Sequence, residues 1–112
     1  MWTPDPSTII TAEAKQAQAM TAMVSTYRAA IQSLIDARAM EKQYDSGATL
    51  ASYVNSTVPQ WAAEANAFVA WRDQVWAYAL AELDKVQAGE RGQPTVEAFL
   101  AELPVFEWPD AA

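Results

Sequence analysis

Few side chains in this sequence could perform acid–base or nucleophilic chemistry. Histidine and cysteine are both absent, which removes the usual acid–base group near neutral pH, the commonest metal ligand and thiolate chemistry. Glu64, Asp73 and Glu82 are carboxylates on one predicted helix, but Asp73 points roughly 100° or more away from the other two. Two carboxylates that hydrolyse a glycosidic bond must flank the substrate from opposite sides. We therefore predict a protein that is not an enzyme, with no catalytic, cofactor-binding or metal-binding residues.

Length and charge narrow the functional classes further. The chain has 112 residues, with 14 acidic and 7 basic side chains and a formal net charge of −7. This length allows one domain, and the clustered Lys and Arg needed to meet the phosphates of a nucleic acid or an anionic membrane are missing. Charged residues interrupt every apolar run before the ~20 residues of a membrane span. We expect neither a nucleic acid nor a membrane as partner.

Proline, glycine and the apolar periodicity divide the chain into helices. The period of two that is typical of strands is found nowhere, so the predicted fold is all-α. We predict an extended N-terminal arm over residues 1–10, a single helical domain over residues 11–104 and an extended acidic tail over residues 105–112. Two long helices, from Ala12 to about Gln43 and from Val58 to about Ala88, are expected to form an antiparallel hairpin. Two short helices, one before and one after the second long helix, are expected to pack on this hairpin.

Local signals mark where these helices begin and end. Thr57, followed by Pro59 and Gln60, predicts an N-terminal capping box for the second long helix. Gly89 suits the position just after that helix, where the backbone turns left-handed. Thr95 is expected to cap the last short helix through its hydroxyl.

The first long helix carries apolar residues at alternating intervals of three and four. The seam consists of Ala17, Met20, Val24, Tyr27, Ile31 and Leu34, with Arg38 at the next position. This spacing is typical of a coiled coil, but Met23, Ala30 and Ile35 widen the seam. The helix could therefore pack inside a bundle or against copies of itself, and a homo-oligomer or a hetero-complex is expected.

The second long helix is unusually aromatic. One face is predicted to carry Trp61, Ala65, Phe68, Val75, Ala79, Leu83 and Val86, with Trp71 and Tyr78 on one flank and Trp76 on the other. The apolar arc covers about half of the circumference or more, which is wider than one neighbouring helix buries. The rings belong either to the core of a small bundle or, in part, to a surface that contacts another protein.

Two arginines fall among apolar positions, Arg72 in the aromatic arc and Arg38 in the first seam. A buried guanidinium must be paired, so a carboxylate of the first helix or of another chain is expected, unless both arginines extend to solvent. Trp2 and Trp108 lie near prolines in the terminal segments and should dock on the domain or on another subunit. The predicted partner-binding residues are Trp61, Phe68, Trp71, Arg72, Trp76, Tyr78, Arg38, Trp2 and Trp108.

Residues 53–104, YVNSTVPQWAAEANAFVAWRDQVWAYALAELDKVQAGERGQPTVEAFLAELP, resemble a helical segment of tail-fibre assembly and fibre-associated proteins of tailed bacteriophages and prophages. The shared features are the W-A-x-E-A-x-A-F-x-A-W-R-D-x-V-W core, the V-Q-A-G-x-R helix end and the P-T-V-E-x-F-x-x-E-L-P close. The stretch ITAEAKQAQA, Ile10–Ala19, is similar to the helix that follows the N-terminal portion of such proteins. That portion often precedes the helical part in the family and is absent from this sequence.

The resemblance implies a non-enzymatic tail protein that binds the tail fibre, its attachment region or another tail protein. It implies no cofactor, and it leaves open a transient chaperone or a subunit that stays in the virion. The expected location is the virion tail, or the host cytoplasm during phage assembly. The alternative is a small phage-encoded effector that binds a host protein through an acidic helical surface.

Overall fold

The computed structural model describes residues 12–109, and every regular element in this part of the chain is a helix. The helices are α1 (Ala12–Met40), α2 (Gly47–Ala51), α3 (Pro59–Gln87) and α4 (Val96–Glu102). The predicted all-α fold, with two long and two short helices, is therefore confirmed. The predicted N-terminal arm lies outside the described residues.

The two long helices run antiparallel. Lys42, just beyond the end of α1, has its Nζ 3.8 Å from Oε2 of Glu64 near the beginning of α3. Earlier in α1, the guanidinium of Arg28 lies 5.7 Å from the ring centroid of Trp76, which is farther along α3. Residues that come later in α1 therefore meet residues that come earlier in α3, as the predicted hairpin requires.

The buried stripe of α1 differs from the predicted heptad seam. Its buried residues follow one another at intervals of four: Tyr27, Ile31, Ile35 and Ala39. Because an α-helix has 3.6 residues per turn, this interval moves the stripe gradually around the helix. Ile35 and Ala39 thus replace Leu34 and Arg38 as the buried positions, and Ala17 is exposed.

The predicted apolar face of α3 is confirmed with one exception. Its buried residues are Glu64, Ala65, Phe68, Trp71, Val75, Ala79, Leu83 and Val86. Trp61 shares the predicted face but is 47% exposed. At this end of the helix, Glu64 is the buried side chain, and the indole of Trp61 remains partly exposed to solvent.

The helix ends follow the sequence signals in part. Thr95 accepts a hydrogen bond from the Ala98 N–H, as predicted, and Gly89 has a φ of 77° just after α3. The capping box at Thr57 is wrong, because α3 begins after Val58 with no side-chain cap. Pro at the first helical position has no N–H to satisfy, which reduces the need for a cap there. The Gln60 side chain donates instead to Oε2 of Glu64 at 3.3 Å.

α2 lies very close to both long helices at Gly47. The Gly47 N–H donates to Oδ1 of Asp36 in α1 at 2.8 Å. A β-carbon at this position would lie 3.1 Å from Asp36, from Ile35 and from Phe68 of α3. Leu50, one turn later, is fully buried. Glycine suits this position because it lets the backbone of α2 approach two helices at once.

α4 and the segment after it complete the core. Phe99 of α4 is fully buried and meets Tyr27 of α1 edge to face at 5.3 Å. The indole N–H of Trp71 donates to the Pro104 carbonyl at 2.7 Å. Phe106 then lies 5.1 Å from the Trp71 ring. Residues 105–109 of the predicted tail have no regular secondary structure, and Phe106 and Trp108 pack against the core. Residues 110–112 lie outside the described residues.

We expect Gly47→Ala to lower the free energy of unfolding by roughly 1–3 kcal/mol, because the new methyl group must displace atoms on three sides. Gly92→Ala is the matched control, since a β-carbon there meets nothing within 4 Å. That control should change stability by no more than about 0.5–1 kcal/mol. Urea unfolding of both variants measures the difference, and equal effects would contradict the close approach of α2.

An aromatic cleft at the closed end of the hairpin

The predicted partner-binding residues do not form one surface. Phe68 and Trp71 are buried in the core. Trp76 is half-buried beneath Arg28. Trp2 lies outside the described residues. These rings, apart from Trp2, are thus engaged largely within the protomer.

Tyr78 is half-buried and belongs to an intramolecular polar network. Its hydroxyl donates to Oε1 of Glu102 at 2.6 Å, which raises the pKa of Tyr78. Arg91, in the loop after α3, donates to the other oxygen of Glu102 and to Glu82 at 2.9 Å. Hydrogen bonds from Arg91 and Tyr78 lower the pKa of the Glu102 carboxyl. The network joins α3, the loop and α4, and it accounts for Tyr78 without a second protein.

Both arginines pair with carboxylates that are close by in sequence. Arg72 pairs with the adjacent Asp73 at 3.0 Å, and Arg38 pairs with Glu41 at 2.6 Å. The expected carboxylate of α1 is therefore not the observed partner of Arg72, whereas Glu41 lies within the range predicted for the first long helix. Both side chains extend to solvent at the edges of their helices, which was the alternative. Such exposed pairs contribute little to stability.

Trp108 docks on the domain. Its ring lies 4.8 Å from Phe106, and the ammonium of Lys42 lies 5.6 Å from its centroid. The indole N–H of Trp108 donates to Oε1 of Glu41 at 3.2 Å. Of the two predicted locations, the body of the domain is the one observed.

Trp61 marks a cleft where α1 ends, α2 passes and α3 begins. The cleft has a volume of about 340 Å³ and is lined by Lys42, Gln43, Tyr44, Tyr53, Trp61 and Glu64. Two other grooves, one at the open end of the hairpin and one beside the C-terminal segment, are lined by no buried charged residue. The aromatic cleft, defined by these six residues, is therefore the candidate functional site.

Three rings form one wall of the aromatic cleft. Tyr44 and Tyr53 meet edge to face with centroids 5.6 Å apart, and Tyr53 meets Trp61 in the same way at 5.7 Å. Edge-to-face contacts stabilise such rings relative to one another. The chain thereby holds the exposed indole of Trp61 in place without burying it.

Glu64 is 5% exposed and forms the polar base of the cleft. The Tyr44 hydroxyl donates to its Oε1 at 2.8 Å, while Gln60 at 3.3 Å and Lys42 at 3.8 Å approach its Oε2. A buried carboxylate requires such donors, because an unpaired charge in an apolar setting is very costly. Burial and the bond to Glu64 together raise the pKa of Tyr44 to about 12.

This arrangement is suited to binding. Exposed aromatic surface, a carboxylate, an ammonium and an amide surround one cavity, and such a mixture orients a ligand through a few polar contacts. Among residues 12–109, no cluster of acidic side chains could hold a metal ion. No helix in the same range is long and apolar enough to cross a bilayer.

Sequence reasoning found one residue of the aromatic cleft as a binding residue, Trp61, and noted Glu64 as a carboxylate. It missed Lys42, Tyr44 and Tyr53. A faint signal existed, since the two tyrosines flank the five-residue helix α2 on either side. Their meeting with Glu64 depends on how α2 folds back across the hairpin, which periodicity does not encode.

The chain matches no protein-family model, no curated protein and no solved structure.

The shifted pKa of Tyr44 predicts a pH dependence of stability. Folding raises this pKa from 10.0 to about 12, so the folded state holds the proton more tightly than the unfolded chain does. The resulting stabilisation should be complete below pH 10 and be lost as the pH rises from about 10 through about 12.

Urea unfolding across this range, compared between the natural chain and Tyr44→Phe, isolates the effect. The stability advantage of the natural chain should shrink as the pH rises. Tyr53→Phe is the matched control, because Tyr53 contributes ring contacts to the same cleft but no bond to Glu64. A constant difference for Tyr44→Phe across the range would contradict the Tyr44–Glu64 bond.

Proposed function

We propose that this chain is a non-enzymatic bacteriophage tail protein that binds the tail fibre or its attachment region through the aromatic cleft. Two roles fit the proposal, a fibre-associated subunit of the virion and a chaperone that assists fibre assembly. The resemblance in residues 53–104 supplies the class of partner. The observation that carries the binding role is the exposure of Trp61, which is the most exposed tryptophan within residues 12–109.

That exposure is selective. Of the tryptophans within residues 12–109, Trp71 is buried and Trp76 and Trp108 are half-buried, whereas Trp61 is 47% exposed. Its ring packs on Tyr53 and lines the cavity. A rigid, exposed tryptophan beside tyrosines is typical of the residues that dominate binding energy at protein interfaces.

The rest of the cleft supports recognition of a protein segment. Burial of about 100 Å² of aromatic surface contributes about 2–3 kcal/mol. The polar groups of Gln43, Lys42 and Glu64 line the same cavity and would fix the register of the segment. Ordering costs are small on this side of the interface, because the rings are already packed against one another.

A host protein is the alternative partner, and the net charge of −7 favours it as much as it favours a fibre. In that case the chain is a small phage-encoded effector. The partner recovered with the chain distinguishes the two, since a virion component supports the tail proposal and a single stoichiometric host protein supports the effector.

We expect the tagged chain to co-purify with its cognate fibre when both are expressed together. Trp61→Ala should weaken this association by about 30-fold or more, the effect of losing a hot-spot tryptophan. Leu80→Ala is the matched control, because Leu80 is 43% exposed on the same helix but outside the cleft. A chain that is monomeric by light scattering and recovers no fibre would overturn the proposal.

Detection of the chain in purified particles separates the two roles. A virion subunit should be present in intact particles, whereas an assembly chaperone should be found only in the host cytoplasm during assembly.

A further inference from the structure

We propose that the aromatic cleft binds a cationic side chain of the partner, with arginine preferred over lysine. The inference rests on the proposed function only in taking the ligand to be part of a protein. It specifies which chemistry the cleft recognises, and it can be tested without the fibre.

The first argument is the surface that the rings present. Aromatic faces carry negative electrostatic potential, and a cation within about 6 Å of a ring centroid is attracted to them. Tyr53 contacts Tyr44 and Trp61 edge to face, so each of these two rings has one side engaged by Tyr53. The partly exposed indole of Trp61 also lines the cavity. A planar guanidinium can stack on such a face.

The second argument is the carboxylate. An ionised carboxylate offers about four acceptor positions, and Glu64 accepts two hydrogen bonds, from Tyr44 and Gln60. Lys42 approaches it as an ion pair. Only Lys42 is charged, and its 3.8 Å separation from Oε2 exceeds the roughly 2.7–2.9 Å of a charge-assisted hydrogen bond. The negative charge of Glu64 is therefore only loosely paired, on a side chain that lines the cavity.

The third argument is the second contact of Lys42. Its side chain is 45% exposed, and its ammonium also lies 5.6 Å from the Trp108 ring. Lys42 can remain near Trp108 when another cation approaches Glu64. It competes for the same carboxylate, so its removal should strengthen binding of a cation.

Charge and size decide against other ligands. A net charge of −7 favours a basic segment and disfavours an acidic one. An uncharged sugar could stack on Trp61 but would leave Glu64 only loosely paired. The volume of about 340 Å³ is near the lower end for ligand sites, which suits a single side chain.

The test is an NMR titration of the isotope-labelled chain that monitors the indole N–H signal of Trp61. This signal is assigned by its disappearance in Trp61→Phe. The ligand is a capped Gly-Arg-Gly tripeptide, and its matched control carries citrulline, the uncharged isostere of arginine. We expect the arginine peptide to shift the Trp61 signal saturably, with a dissociation constant about tenfold or more below that of the citrulline peptide. The lysine peptide should lie between the two.

Substitutions in the cleft should change the affinity for the arginine peptide in opposite directions. Glu64→Gln and Trp61→Ala should each weaken binding. For Trp61→Ala, which lacks the indole signal, binding is monitored on the backbone signals of the other cleft residues. Lys42→Met should strengthen it several-fold. Trp61→Ala keeps the test decisive if Glu64→Gln disturbs the fold, because Trp61 is 47% exposed whereas Glu64 is buried.

Equal affinity for arginine and citrulline would overturn the cation site, as would weaker binding by Lys42→Met or a preference for an uncharged trisaccharide. These outcomes are separate from those for the fibre. If the arginine peptide binds and the fibre does not, the cation site stands and the tail proposal falls. If the fibre binds and the peptide does not, the fibre is recognised by other chemistry.

Discussion

The structure depends on one constraint: the apolar arc of α3 is wider than α1 alone can cover. Three further pieces of chain complete the core. α2 approaches Phe68 at Gly47, the segment after α4 contacts Phe68 and Trp71, and α4 places Phe99 against Tyr27 and Tyr78. The tightest point is Gly47, where α2 approaches α1 and α3 closely enough that a β-carbon would lie 3.1 Å from Phe68. The short elements are thus part of the core of this protein, even though they contribute few residues.

Most of the aromatic side chains in residues 12–109 pack against one another to cover this arc. Phe99 covers Tyr27, Phe106 covers Trp71, and Trp108 lies on Phe106. Trp61 is left over at the end where α2 passes, and the bond from Tyr44 to Glu64 ties that end together. The same hydrogen bond therefore closes the hairpin and shapes the aromatic cleft.

Much of the helical architecture could be predicted, because local chemistry determines it. Gly89 adopts the left-handed backbone just after α3, and Thr95 caps α4 with its hydroxyl, as their residue types favour. The periodicity of α3 identifies its buried face. Arg72 was predicted to need a distant carboxylate because it falls within the arc. In the structure, the segment after α4 covers the Trp71 side of α3, so Arg72 lies at the boundary of the buried face and pairs with Asp73. Periodicity gives the bearing of a residue but not the neighbour that covers it, and for this reason Tyr44 and Tyr53 could not be assigned to the cleft.

The central claim is that the aromatic cleft is the surface that another protein covers. Hydroxyl-radical footprinting with mass spectrometry measures this directly, applied to the free chain and to the chain in cells that express the tail genes. The account predicts that oxidation of Trp61 falls strongly in those cells, while oxidation of Leu80, exposed on the same helix outside the cleft, stays the same. Equal oxidation of Trp61 in both settings, or protection of Leu80 in its place, would contradict the account.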